Sequence, residues 1–166
     1  KYMRKTFLKY SIYLLLTLPI LLSSCNNEDD VNEIFVSRGT WYAVNYYTGV
    51  NWDSNNDRDA RPVITNVQEL QVIQQFNITF KDDGTLEGNM QNATFTGYWQ
   101  ANGEDRSVSI TRLKASTNKV EGRNKEFIET LERARFYQGD SGMLRLAPQE
   151  RTTCIQFTHI KQNGNN

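Results

Sequence analysis

Oxygen donors recur at alternate positions in the run Asp53-Ser54-Asn55-Asn56-Asp57-Arg58-Asp59. Such a run can supply the first several of the roughly six to eight oxygens that calcium takes. Arg58, however, stands where a calcium loop places its turn glycine, and Ile64 stands where the closing glutamate belongs. A solvated loop is therefore the expectation. The chain has one histidine, His159, and two cysteines, Cys25 and Cys154. That donor set is too small for the usual zinc site. Cys154 and His159 lie five positions apart in a strand-like segment, so they point to opposite faces and form no thiol–imidazole couple. With a single histidine there is no Ser-His-Asp set, and no glycine-rich phosphate loop is present. Glu87 and Asp105 are a conceivable carboxylate pair for glycoside hydrolysis, but nothing in the sequence brings them together. The sequence points to no catalytic residue, no metal site and no cofactor, hence to a protein that is not an enzyme. The remaining candidates are aromatic. Trp52 sits in the polar loop and reads as an exposed ligand contact, with Tyr46 and Tyr47 near it.

These candidates need elements to hold them. The stretch Gly39 to Tyr47, GTWYAVNYY, is aromatic and β-branched, as a half-buried strand requires. Leu70, Val72, Phe76, Ile78 and Phe80 alternate with polar residues and predict a further strand. Asp82-Asp83-Gly84 and Asn102-Gly103 are turns, and Leu86, Gly88 and Met90, then Phe95, Gly97 and Trp99, then Val108 and Ile110 continue the alternation. The period changes in NKEFIETLERARFYQG, where Phe127, Ile128, Leu131 and Ala134 recur at helical spacing. Asn124 is a plausible N-cap there and Gly139 a plausible stop. Two strands, 143–147 and 152–160, follow. The fold class is mainly β: a small antiparallel barrel or curled sheet of about seven or eight strands, with one helix before the last two. Closure into a barrel would remove the exposed sheet edges. The large residues on these strand faces favour a filled centre.

The leading segment has its own logic. Lys1, Arg4, Lys5 and Lys9 precede the apolar run IYLLLTLPILL. That run is too short to span a bilayer, which takes about 20 residues, and suits a secretory signal. Met3 is the expected first residue of the native chain. Leu22-Ser23-Ser24-Cys25 resembles the bacterial lipobox, which implies cleavage before Cys25 and attachment of lipid to its thiol. The acidic run NNEDD that follows resembles the surface-export tether of lipoproteins of the Bacteroides group, and a plain solvated linker fits its composition equally well. The expected organisation is a signal peptide over 1–24, lipidated cysteine and acidic linker over 25–34, a β domain over 35–161 and a disordered tail over 162–166. The full chain is formally neutral; losing 1–24 removes four basic residues and no acidic one, leaving −4. A mildly acidic domain without a basic stripe has no reason to bind nucleic acid.

Two further resemblances concern the β domain. Gly39-Thr40-Trp41 resembles the Gly-x-Trp that opens the first strand of lipocalins, which implies a structural role for Gly39 and Trp41 in closing the barrel base. Phe127, Leu131, Ala134 and Tyr137, then Gly142, Leu144, Leu146, Ile155 and Phe157, resemble the META-type domain of bacterial envelope lipoproteins, with Gly88, Asn89, Phe95 and Gly97 matching its middle loosely. The glycine before Asn89 lacks the cysteine that often follows it in that family. Lipocalins place their helix after the last barrel strand rather than before the final strands. Neither resemblance brings catalytic residues. Together they imply a lipid-anchored outer-membrane protein, its display at the cell surface or toward the periplasm left open. The membrane is its partner through Cys25, and its barrel end would bind a small amphipathic or carbohydrate-like ligand. The alternative is a filled barrel that docks to another envelope protein.

Overall fold

The computed structural model describes residues 27–54, 58–140 and 142–161. Cys25, the signal segment and the tail lie outside the described residues, as do Asn55, Asn56 and Asp57 of the acidic loop. The elements in chain order are α1 (Asn27–Phe35), β1 (Thr40–Thr48), β2 (Arg61–Pro62), α2 (Val67–Ile73), β3 (Asn77–Phe80), β4 (Thr85–Met90), β5 (Ala93–Asn102), β6 (Ser107–Ala115), α3 (Gly122–Arg133), β7 (Phe136–Gly139), β8 (Met143–Ala147) and β9 (Thr153–Thr158).

All pairings are antiparallel and the sheet closes on itself. Along one edge β1 pairs first with β3 and then with β2; along the other it pairs with β9. From β3 to β9 every strand pairs with its sequence neighbour, which is the low-cost way to connect antiparallel strands. The seam is β6–β7, where Ser107 opposite Phe136 is the one registered pair. Beyond that point α3 takes the place of a strand and packs against β6.

The centre of the ring is filled. Trp41, Phe76, Phe80, Phe95, Phe127, Tyr137 and Phe157 are fully buried, as is Phe35 from α1. Phe127 reaches from α3 to meet Phe76, Phe95 and Phe157 at ring separations of 5.1, 5.8 and 6.2 Å. Gly88 is needed because a Cβ there would overlap the Asn77 carbonyl oxygen and the Phe95 ring. The residues that carry the META resemblance on the helix and final hairpin, Phe127, Leu131, Ala134, Tyr137, Leu144, Leu146, Ile155 and Phe157, are all buried. The pattern they share is one of core packing.

Four expectations change. The acidic segment expected to be a linker is helical over Asn27–Phe35. It docks because its last residues, Ile34 and Phe35, are apolar and buried. Residues 70–73 are helix rather than strand. Asn66 accepts a hydrogen bond from the Glu69 amide at 3.1 Å and starts α2, and only Asn77–Phe80 remains extended. Helix α3 ends at Arg133, before Gly139, and Asn124 is not its cap: its side chain joins the Gln91 backbone as both donor and acceptor. The segment 136–139 becomes β7, so three strands rather than two follow the helix.

A bulge shapes β1. Its pairing with β9 shifts between Ala43 and Asn45. The extra residue reverses the alternation, so Tyr46 joins Trp41 and Ala43 among the buried residues. Asn45 is buried too. Its amide donates to the Ile64 carbonyl at 2.8 Å, and its oxygen accepts from the amides of Tyr46 and Ile64 at 2.8 and 3.1 Å. Asn45→Ala strands those backbone groups and is expected to cost about 1–3 kcal/mol, measured by urea unfolding.

Candidate functional site

The polar loop after β1 does not present a tryptophan to solvent. Trp52 is only 8% exposed and packs with Val50, Ala147 and Cys154, with Tyr47, Ala60 and Phe136 at the margin. Its carbonyl accepts a 2.6 Å hydrogen bond from Gln138. The expectation of an exposed Trp52 is therefore corrected. Ala147 and Cys154 leave apolar surface on the outside of the ring, and the loop folds back to cover it. Asp53 meets Arg151 at 3.5 Å, and among the described residues no group of three or more His, Cys, Asp or Glu could hold a metal ion.

Other candidates separate in the same way. Glu87 is paired with Lys81 at 2.7 Å. Asp105 instead accepts from the Ser107 amide at 2.9 Å, and that bond, with the Ser107 hydroxyl, holds its carboxyl below the ordinary range. His159 lies against the Trp41 ring, 5.9 Å between centroids, whereas Cys154 belongs to the cluster under Trp52. Gly39 has a positive φ of 75° and turns the chain from α1 into β1. Trp41 beside it is fully buried.

What the fold does assemble is a groove of about 450 Å³ on the side where α3 replaces a strand. Its residues come from three places: Tyr46 on β1, Thr130 and Arg133 on α3, and Leu146, Pro148, Glu150, Thr152, Thr153, Cys154 and Ile155 on the last hairpin. Register explains the meeting, since Ile155 pairs with both Tyr46 and Leu146. Of the three aromatic residues expected to bind ligand, only Tyr46 lines this groove. Tyr47, its chain neighbour, faces the Trp52 cluster, because successive side chains on a strand diverge.

Tyr46 is 7% exposed, and its hydroxyl is buried against α3. Thr130 is its polar neighbour on α3, but that hydroxyl donates at 2.7 Å to the Glu126 carbonyl one turn back. Burial, then the negative charge of Glu126, push the Tyr46 hydroxyl well above the ordinary tyrosine value, while Arg123 and Thr130 oppose this more weakly. Tyr46 therefore stays protonated and can donate throughout the physiological range. Glu126 is itself paired with Arg123, which also holds Glu69 of α2.

Thr130, Arg133 and Glu150 are the groove residues that sequence reasoning missed. Arg133 lies off the apolar stripe of α3 and Glu150 in a polar turn, and neither position has a periodicity to mark it. Only the closure of the ring brings them to Tyr46.

A family model described as "Domain of unknown function (DUF4847)" matches residues 26–159. The crystal structure of a DUF4847 family protein from Bacteroides vulgatus is similar, at 43% identity and TM-score 0.69, over 80% of this chain and 99% of that one. An NMR structure of a protein from Burkholderia xenovorans is more distant, at 12% identity and TM-score 0.49, over 76% of this chain and 85% of that one. No curated protein matches the chain.

Proposed function

The chain belongs to the DUF4847 family, and we propose that it is a non-enzymatic lipoprotein of the bacterial envelope that holds a small amphipathic ligand at the side of a lipocalin-like, META-like barrel. The groove of about 450 Å³ that ring closure assembles between β1, α3 and the last hairpin carries this reading. The volume lies within the range of about 300–1,000 Å³ in which small-molecule sites fall. Leu146, Pro148 and Ile155 offer apolar wall, and Thr130, Thr152 and Thr153 offer hydroxyls. Because aromatic rings fill the centre, the ligand sits in the groove rather than deep inside. The similar Bacteroides protein supports placement in that bacterial group, and the lipobox-like Leu22-Ser23-Ser24-Cys25 supports the lipid anchor and the outer-membrane location.

The filled centre also favours a second reading, a docking module for another envelope protein. One experiment separates the two: native followed by denaturing mass spectrometry on the chain extracted gently from its own cells. A diacylglyceryl mass on Cys25 and a co-purifying small molecule are the expected results. An unmodified Cys25 would sink the anchor. An empty groove that accepts no amphipath on titration would leave the docking module, to be sought by crosslinking.

A further inference from the structure

The groove has a charge pattern that narrows its ligand. Arg133 and Glu150 both line it. Among the described residues, neither has an opposite charge within ion-pair distance, and they do not pair with each other. On α3, Glu126 is held by Arg123 and Glu129 by Lys125, so neither competes for Arg133. Arg133 donates its Nε–H to the Glu129 carbonyl of its own helix at 3.2 Å, which holds the stem and leaves the outer guanidinium nitrogens available to a ligand. A purely anionic ligand would meet Glu150, and a purely cationic one Arg133. A molecule carrying both charges satisfies both.

We infer that the groove takes a zwitterion with an aliphatic body, a free α-amino acid or a dipeptide. Its carboxylate is received by Arg133, its ammonium by Glu150, and its side chain by Leu146, Pro148 and Ile155. A carboxylate suits arginine because the planar guanidinium matches two oxygens at once. The groove volume of about 450 Å³ matches one or two residues. This inference rests on the reading of the groove as a small-ligand site.

The test uses residue-resolved NMR titration of the full chain with four probes: L-leucine, leucyl-leucine, N-acetyl-leucine and leucinamide. Leucine or leucyl-leucine should shift the amides around Tyr46, Thr130 and Ile155, and whichever binds more tightly identifies the free or peptide form. N-acetyl-leucine, lacking the ammonium, and leucinamide, lacking the carboxylate, should each bind at least 10-fold more weakly. Arg133→Gln should abolish the preference for leucine over leucinamide, and Glu150→Gln the preference over N-acetyl-leucine. Both side chains are on the surface, so the variants keep the fold. If N-acetyl-leucine or leucinamide binds as well as the zwitterions, the inference is overturned. If only a neutral amphipath such as 1-octanol shifts those amides, the small-ligand reading stands and the zwitterion is overturned. If none of the five does, both fall.

Discussion

Replacing Phe127 by alanine lowers the unfolding free energy by about 3–5 kcal/mol, a large share of the total for a domain of this size. Phe127 is fully buried, and its ring contacts three others: Phe76 just before β3, Phe95 on β5 and Phe157 on β9. It is the point at which α3 is tied into the ring. The seam β6–β7 has a single registered pair, so nothing in the strand ladder takes over when α3 is loosened. The change leaves a cavity where several elements meet, and the neighbouring rings, anchored on different strands, cannot all move in to fill it. Urea unfolding followed by circular dichroism checks the value. A loss below about 1 kcal/mol would mean that α3 is an appendage and that the strands alone hold the barrel. A useful comparison is Val63→Ala, at an exposed position, which is expected to stay within about 0.5 kcal/mol of the parent.

Phe35→Ala is the second large effect. Phe35 is fully buried, stacks on Trp99 at 4.9 Å, and meets Phe80 and Tyr137 edge-on at 4.9 and 4.8 Å. Ile34 beside it touches the backbone side of Gly139, where a Cβ would collide with its methyl. The expected cost is again about 3–5 kcal/mol, or roughly 10–20 °C in melting temperature. The fluorescence of Trp99 should change as its stacking partner disappears. A solvated linker would predict no change in either reading. This substitution therefore separates a helix that belongs to the core from a tether that merely precedes it.

Much of the fold was legible in the residues. Alternation marked 86–90, 95–99 and 108–110 as strands, and the turns at Asp82-Asp83-Gly84 and Asn102-Gly103 fell between them. Antiparallel closure followed from the count of strands and the short connections. The helical stripe of Phe127 and Leu131 was visible as well. The errors have distinct causes. In the segment from Leu70 to Phe80 the alternating apolar residues straddle a helix and a strand, and the Asn66 cap with Glu69 three residues on was the signal that outweighed them. Trp52 was judged by its polar neighbours, but burial of a loop residue depends on what surface the loop covers. Here that surface is Ala147 and Cys154, contributed by strands far along the chain.

The groove shows the same division. Residue types were enough to exclude a zinc set and a catalytic triad, because those need side chains that the chain does not possess in number. They also set the filled barrel, since large apolar residues on one face of most strands must meet when the sheet closes. Which polar residues gather was a matter of tertiary structure. A one-residue bulge in β1 turned Tyr46 inward, and the early end of the β6–β7 pairing left that place in the wall to α3. Pairing of Ile155 with both Tyr46 and Leu146 then drew the last hairpin to them. Periodicity records which face of an element is buried, and it holds no information about which distant element arrives to bury it.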